Sequence, residues 1–580
     1  MEPAPRGGIP STVALHRTQL LLRWAAVTLG LVAAWRCRHA VNPDGISYLD
    51  LGDAMLRGGL GEGLNSYWSP AYPLLLALVR ALSGFSAAFE LPLVHLVNFG
   101  LYLGALVSFE LLLGELVVRG ERAAPANPGE SRCPVDEGEG RASPVHLGLV
   151  VLGYPLFMLC SLQLVGLEWV TPDLGVAALA LLAMTMVLRL ERGTVGLVHG
   201  VALGLVLSLG YLTKSAMLPI GVLFVLCGFA IGRERSARRA MVAATLTAAV
   251  LAGAFVLALS AKCGRFTPGD SGRLNYAWHV SRVTLYSHAR PDQGRHGTLV
   301  HPLRLLLRNP PVYEFAEPIG GTYPPWSDPG YWFEGVRPRF DWPKQKRALE
   351  RSLESLSRMV AQRRWSLAPL GVVLAAVLVT VRPSWSRVGP VVRAHGGLLL
   401  VGGAPVLMYA LVHLEPRYIG GFLLLLLLGL LGISLGLSRS PRVLGAVCAA
   451  AGLAIAVSVT WGVLADPGDW ADGRSHYRVA LALQQLGVEP GSPVGSIGGT
   501  YKAYWARLGR FRVVADIPTK HARRFWSAPE ADRRKALDAF REAGVRAVVT
   551  EPPAPPGPPW QPLEGTTHWV ALLSRSPDGS

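Results

Sequence analysis

Apolar segments recur along most of this chain, and they constrain its fold more than any other feature. Crossing the hydrocarbon core of a bilayer takes about 20 helical residues, and runs of that size recur between residues 19 and 464. Only 16% of the residues are charged, against roughly 25% in a soluble globular protein. We therefore expect an integral membrane protein with two polar segments, residues 262–365 and 465–580.

We predict a mostly α-helical, polytopic bundle in residues 1–464, which includes the long loop 262–365, and a small α/β domain in residues 465–580. Helix and strand patterns alternate in the last segment, as in "ADRRKALDAFREAGV" followed by "RAVVTE", and this alternation predicts the α/β domain. The eleven predicted spans lie near residues 19–36, 91–118, 146–164, 173–190, 195–212, 215–232, 240–261, 366–381, 394–412, 418–437 and 443–464.

Arginines between the spans set the predicted orientation. The net charge of +17 would suit nucleic acid, but these arginines lie mostly in short loops, where they act as topological signals. We therefore predict no nucleic-acid partner. All basic loops fall on one side if the N-terminus is cytoplasmic, which places the chain in the inner (plasma) membrane with residues 465–580 outside the cytoplasm.

Two apolar segments need separate treatment. The first run lacks a small-residue cleavage site and is followed by further spans, so we expect a retained helix rather than a signal peptide. The piece "PAYPLLLALVRAL", residues 70–82, is too short to cross comfortably. If it crossed, the basic loops would alternate between the two sides, so we place it as a re-entrant or juxtamembrane segment.

Cysteines and arginines near the span ends leave alternatives open. The six cysteines have no metal-ligand spacing. Cys37 and Cys263 share the outer face in this topology, and both a disulfide bond and two unpaired thiols fit. Arg36 and Arg38 follow the first span on the outer side, where either snorkelling to headgroups or contact with an anionic lipid phosphate explains them.

Asp44 follows the first span directly. The stretch "ISYLDLGDAMLR" after it has helical spacing, which predicts a short amphipathic helix in the membrane interface. Such a helix holds Asp44 at the boundary between lipid and water. A carboxylate there is a usable general base if a cation or hydrogen-bond donors keep it ionised, or it stabilises the helix dipole.

Two further acids lie in the outer loop "VGLEWVTPD", residues 165–173. Acidic groups at membrane depth are costly, so they tend to be paired or functional. Glu168 and Asp173 could form, together with Asp44, a three-carboxylate site for a divalent cation. Capping of the helix after Pro172 explains Asp173 equally well.

Two cations lie at the outer ends of spans, Lys214 in "YLTKSAMLP" and Arg417 in "HLEPRY". Each suits an anionic phosphate headgroup. A snorkelling lysine and a neighbour pair between Glu415 and Arg417 are the alternatives, and both stay open.

The long outer loop is rich in aromatic residues, proline and glycine, as in "GTYPPWSDPGYWFEG", residues 321–335. This composition predicts a rigid, irregular lid. Trp326, Tyr331 and Trp332 could line a sugar or peptide acceptor site, or they pack in an interfacial loop without a ligand.

Taken together, these motifs resemble the GT-C superfamily of membrane glycosyltransferases, in particular the protein-mannosyltransferase and aminoarabinose-transferase type (glycosyltransferase family 39). The resemblance covers residues 19 to about 437 and rests on short motifs. They are Asp44 with Tyr48 after the first span, "WSPAYPLLLAL" (68–78), "TPD" (171–173), "LTKSAMLP" (212–219), the long loop and "EPRY" (415–418).

The resemblance implies transfer of a sugar, with inversion, from a polyprenyl-phosphate carrier to a lipid, glycan or protein acceptor on the non-cytoplasmic side. Asp44 would be the base, Lys214 and Arg417 would bind the donor phosphate, and Tyr48 would lie with the acceptor and lid residues. Many members of the superfamily have two adjacent acids here, whereas Gly45 follows Asp44 in this chain. Glu168 or Asp173 is left to supply the second charge.

Other functions compete with this one. An O-antigen polymerase or ligase also has a large outer loop, but the "TPD" and "EPRY" motifs do not favour it. A lipid-linked saccharide transporter would show polar residues at related mid-span positions of two halves, and a catalytically dead scaffold would tolerate loss of Asp44. In the last domain, "GSIGG" at 495–499 has the wrong spacing for a dinucleotide loop, so we predict a structural turn in an accessory domain that could bind the acceptor.

Overall fold

Each of the eleven predicted spans coincides with a helix in the computed structural model. The structure describes residues 12–123, 144–192, 195–283, 295–315, 320–381, 385–465, 471–553 and 557–573. In chain order the helices are α1 (Thr12–Arg36), α2 (Pro43–Gly58), α3 (Ala71–Ser83), α4 (Glu90–Ala123), α5 (Pro144–Met158), α6 (Asp173–Arg189), α7 (Leu197–Thr213), α8 (Met217–Ile231), α9 (Arg235–Cys263), α10 (Ser271–Asn275), α11 (Pro324–Ser327), α12 (Pro329–Trp332), α13 (Trp342–Gln362), α14 (Arg364–Thr380), α15 (Trp385–Ala410), α16 (Pro416–Leu437), α17 (Pro441–Ala465), α18 (Gly473–Gln485), α19 (Tyr504–Leu508), α20 (Thr519–Ser527) and α21 (Glu530–Glu542).

Fewer helices than eleven are long enough to cross a bilayer unaided. Within the described ranges, seven helices are long and apolar enough, or eight if α13 and α14, which meet at a bend of 94°, count as one span. Helices α7 and α8 are apolar but shorter, below the roughly 20 residues that a span requires. The prediction of a polytopic helical bundle with a C-terminal α/β domain is confirmed, with a lower span count.

The two ends of the bundle differ in what they contact. Arg119 in α4 donates to the carbonyls of Leu188 (3.1 Å) and Ala394 (2.7 Å), which joins the ends of α4 and α6 to α15. The opposite end carries the C-terminal domain, and we call it the domain side. Trp68 precedes α3 and Arg80 lies within it, and both contact residues of the domain side. The re-entrant or juxtamembrane placement of α3 stays a prediction.

The C-terminal domain is built on a mixed sheet of seven strands, in the order β2-β3-β6-β5-β7-β9-β8. Strands β5, β6 and β7 are parallel and the other pairings are antiparallel. The strands are β1 (Ala40–Val41), β2 (Arg304–Arg308), β3 (Pro311–Glu314), β4 (Ala471–Asp472), β5 (Pro493–Ile497), β6 (Arg512–Ile517), β7 (Ala547–Thr550), β8 (Trp560–Pro562) and β9 (Trp569–Leu572).

Two contributions to these sheets come from outside residues 465–580. The β2–β3 hairpin of the long loop extends the sheet by pairing with β6. Strand β1, after the first span, pairs with β4 in a separate two-stranded sheet. The domain boundary near residue 465 stays a prediction, and strand pairing joins the segments on its two sides.

Cys37 and Cys263 are both free thiols.

A buried cluster of charges joins the C-terminal domain to the bundle. Arg507 on α19 is only 5% exposed and contacts Asp50 (2.7 Å) and Asp53 (3.1 Å), both on α2. Its Nε also lies 2.8 Å from Glu90 at the start of α4. Arg80 on α3 pairs with Asp53 and Glu90 as the second cation. Four segments of the chain, α2, α3, α4 and α19, therefore meet in one charged cluster.

We expect Arg507→Gln to loosen the contact between the C-terminal domain and α2. Removing one partner of a buried ion pair costs roughly 3–5 kcal/mol, because the other charges stay buried and uncompensated. Hydrogen–deuterium exchange should become faster in α2 and α19. The exposed Arg523 on α20 supplies the control variant Arg523→Gln, and equal exchange in the two variants would contradict this role of Arg507.

Asp516 on β6 makes the stability of this domain depend on pH. Burial raises the pKa of Asp516 to about 7. Between its ordinary value of about 3.9 and about 7, the folded protein holds a proton that the unfolded chain has released, so stability falls as pH rises. We expect the Tm of the full chain to fall across this interval, and to fall less in Asp516→Asn. Parallel profiles in Asp516→Asn and in the exposed control Asp538→Asn would contradict the prediction.

Candidate active site

A cavity of about 490 Å³ opens at the domain side, where several helices begin or end. The starts of α2, α6, α8 and α16 and the ends of α7 and α15 reach it. Residues 67–69 and the long loop line the rest of the wall. The N-terminal end of a helix carries partial positive charge and unpaired N–H groups. The fold thus directs the N-terminal ends of α2, α6, α8 and α16 towards one cavity.

Two predicted acids and two predicted cations meet in this cavity. Arg417 Nη2 lies 3.2 Å from Asp44 Oδ2, and Arg417 Nη1 lies 4.0 Å from Asp173 Oδ2. Lys214 Nζ lies 2.5 Å from Asp173 Oδ1. Thr171 donates its hydroxyl to Asp173 at 2.9 Å. Lys214 is therefore ion-paired, and Arg417 bridges two acids that are 129 residues apart in the sequence.

Glu415 provides a third carboxylate beside Arg417. Its Oε2 accepts from Arg417 Nε at 2.8 Å and its Oε1 lies 3.0 Å from His413 Nε2. Burial alone would raise the pKa of Glu415, but the His413 hydrogen bond and the Arg417 charge hold it well below its usual range. The His279 ring stacks on His413 at 3.9 Å, and burial followed by the charge of His413 lowers the pKa of His279 to about 4.

Aromatic rings form one wall of the cavity. Trp326 lies 5.6 Å from Trp68, 5.8 Å from Trp278 and 5.9 Å from Tyr67, between ring centroids. The indole N–H groups of Trp278 and Trp326 are buried and have no hydrogen-bond partner within the described ranges. Burial, and then the charge of Asp44, raises the pKa of Tyr48 well above its ordinary value, so this hydroxyl stays neutral.

The other three predicted residues lie elsewhere. Glu168 lines a second cavity. The Tyr331 ring stacks on His301 at 3.6 Å, and Trp332 is buried in the core shared by the long loop and the C-terminal sheet. Of the four residues assigned to the acceptor and lid, Tyr48 and Trp326 line the first cavity.

The predicted divalent-cation site does not fit these donors. Glu168 is separated from Asp44 and Asp173, and the two aspartates already pair with Arg417 and Lys214. Within the described part of the chain, no group of three or more histidine, cysteine, aspartate or glutamate side chains is arranged to hold a metal. We derive no chemical step through a metal ion.

Gly45 is packed too closely to be replaced by an acid. A Cβ built on it would lie 2.7 Å from Val170 Cβ, and the neighbouring Asn42 accepts from the Val170 N–H at 2.8 Å. An acid at position 45 therefore has no room, and Asp173 supplies a second carboxylate of the cavity.

Sequence analysis missed several lining residues. Tyr67, Trp278 and His279 belong to segments that differ in hydrophobic pattern and lie far apart in sequence. Trp278 and His279 occur in the aromatic segment "LNYAWHVSR" of the long loop, whose composition was the available signal. His413 lies two positions before Glu415, the first residue of the "EPRY" motif, and this spacing could have indicated the pair.

Comparison with known proteins gives structural matches alone. No protein-family model matches the chain, and no curated protein matches it. The apo oligosaccharyltransferase of Archaeoglobus fulgidus has a TM-score of 0.49 and 11% identity, covering 93% of this chain and 70% of that one. Apo ArnT of Cupriavidus metallidurans has a TM-score of 0.41 and 13% identity, covering 96% and 97%. ArnT bound to undecaprenyl phosphate has a TM-score of 0.39 and 13% identity, covering 97% and 99%.

The likeness to these proteins is one of fold.

We expect Gly45→Ala to disturb the site through Val170. An added methyl group in a packed position costs roughly 1–3 kcal/mol, and it pushes the start of α2 away from the 165–173 loop. The Tm should fall, and Val170→Ala in the same chain should restore part of it. Gly104→Ala on α4, where a Cβ meets nothing within 4 Å, is the control. Absence of rescue by Val170→Ala would contradict this account.

Proposed function

We propose that this chain is a membrane glycosyltransferase that moves a sugar from a polyprenyl-phosphate donor to a lipid, glycan or protein acceptor. The observation that carries the proposal is the convergence of Asp44, Lys214 and Arg417 in one cavity at the membrane surface. A base and two cations are the groups that transfer from a phosphate carrier requires.

The reaction is a single displacement. An acceptor hydroxyl or amine attacks the anomeric carbon while the bond from that carbon to the phosphate oxygen breaks. Asp44 takes the proton of the attacking group, and the phosphate leaves with the bonding electrons. Lys214 and Arg417 stabilise the negative charge that grows on the departing phosphate. Attack from the face opposite the leaving group inverts the anomeric configuration.

The aromatic wall suits the sugar. Its rings offer apolar faces to the C–H side of a pyranose or furanose. The buried N–H groups of Trp278 and Trp326 are donors for sugar hydroxyls, since a buried donor without a partner costs free energy. In this proposal Trp326 and Tyr48 lie beside the sugar and the acceptor.

The predicted orientation places this chemistry outside the cytoplasm. With the N-terminus in the cytoplasm, the domain side of the bundle faces away from it, in the inner (plasma) membrane of the cell. The C-terminal domain then lies on the acceptor's side as an accessory domain.

Asp44→Asn tests the proposed base. We expect this variant to release polyprenyl phosphate from a panel of polyprenyl-phosphate sugars at least 10²-fold more slowly than the parent, the lower bound for loss of a general base. The measurement is liquid chromatography of the lipid product with purified protein. Asp538→Asn, which alters an exposed carboxylate on α21, should match the parent.

Two results would overturn parts of the proposal. Equal release by parent and Asp44→Asn would exclude Asp44 as base and point to Asp173 instead. Binding of the lipid by both proteins without release from any donor would contradict the transferase and favour a transporter or scaffold.

A further inference from the structure

A second cavity, of about 500 Å³, lies on another face of the bundle. The end of α1, the start of α14, the end of α17 and the turn that follows α5 line it. Its lining shares no residue with that of the first cavity. It also lies at the domain side, because β1 follows α1 directly and pairs with β4.

Two arginines give this second cavity a positive charge. Arg363 donates from Nε and Nη2 to the carbonyl of Gln163 at 2.8 and 2.5 Å, and Arg36 donates from Nη1 to the carbonyl of Val463. Backbone carbonyls therefore fix both guanidinium groups. Glu168 is the one acid among the described lining residues, so the side chains sum to one positive charge, from two cations and one anion.

Polar groups of the same cavity are arranged around the start of a long helix. Arg363 is the N-cap of α14, which runs for 17 residues. Ser366 in the first turn donates to Gln163 Oε1 at 2.9 Å and lies 2.8 Å from Ser458 Oγ. A helix start beside two guanidinium groups is a favourable place for a phosphate oxygen.

The side chains around the cavity are apolar and exposed. Trp365 and Trp461, both in the lining, are 73% exposed, and tryptophan favours the headgroup level of a bilayer. Exposed apolar side chains continue along the three helices. They include Leu31 on α1, Leu374 on α14 and Leu453 on α17. A ligand that fits this surface has an anionic head and long apolar chains.

We propose that this cavity binds the headgroup of an anionic phospholipid, with the phosphate at Arg36 and Arg363 and the acyl chains along α1, α14 and α17. The charge of the lining favours a lipid with net negative charge over a zwitterionic one. This assigns a role to Arg36, which the first cavity does not use, and places Glu168 in a lipid site. The proposal does not depend on the transferase activity, and its test measures lipid binding only.

Native mass spectrometry of the full chain in detergent tests the proposal. We expect phosphatidylglycerol to be retained about fivefold more strongly than phosphatidylcholine, which is the effect of about one arginine near a lipid surface. The double variant Arg36→Gln and Arg363→Gln should lose this preference. The matched control, Arg439→Gln with Arg442→Gln, alters two exposed arginines near the opposite ends of α16 and α17 and should keep it.

Quenching of tryptophan fluorescence by brominated phosphatidylglycerol provides a second measurement. It is made on the parent protein, so it remains valid even if the arginine variants misfold. Brominated phosphatidylglycerol should quench more strongly than brominated phosphatidylcholine, and the difference should disappear in the double variant Trp365→Phe with Trp461→Phe. Equal binding of the two lipids by the parent would overturn the proposal. So would equal loss of preference in both arginine variants, or displacement of phosphatidylglycerol by equimolar polyprenyl phosphate.

Discussion

The guanidinium of Arg507 holds three carboxylates from two helices of the bundle in one buried cluster. Each of these charges would cost several kcal/mol if buried alone, so the segments that carry them have to meet. Asp50 also accepts from the backbone and the hydroxyl of Thr322 at 2.7 and 2.9 Å, which adds the long loop to the same junction. Helix α2 is thereby fixed from two directions, and Asp44 lies at the start of that helix. The C-terminal domain positions the proposed base without contacting the cavity.

The loop 165–173 connects α2 to the part of the site that contains Asp173 and Arg417. Asn98 donates to the carbonyl of Trp169 at 3.0 Å, and Asn42 accepts from Val170. The Trp169 ring lies 5.0 Å from the Arg417 guanidinium, a cation–π distance. Residues at or just before the starts of α2, α6 and α16 therefore brace one another. This bracing explains why Gly45 has no space for a side chain: the backbone of α2 lies against the loop that carries Asp173.

Topology made part of the site predictable. Apolar runs locate the spans, and span parity places Asp44, Asp173, Lys214 and Arg417 at the same end of the bundle before any contact is known. Glu168 shares that end, yet the chain turns at Gly166, whose φ is 79°, and Glu168 lies in the second cavity. The parity of the spans predicts the depth of a residue along the membrane normal, but it does not predict on which side of the bundle the residue lies. The addition of β2 and β3 to the C-terminal sheet could not be predicted from the sequence for a similar reason, since the pairing of β3 with β6 joins residues about 200 positions apart.

The net charge of the side chains in the first cavity affects how a phosphate donor would bind there. Asp44, Asp173 and Glu415 outnumber Lys214 and Arg417 by one, so the side chains sum to one negative charge. A phosphate brings more negative charge and has to share the same two cations. As Arg417 turns towards the phosphate, its ion pair with Asp44 weakens, and the Asp44 carboxylate is released to contact the acceptor. Under the proposed function, donor binding itself would thus free Asp44 for the acceptor, and the ion pair would hold that carboxylate in place in the absence of a donor.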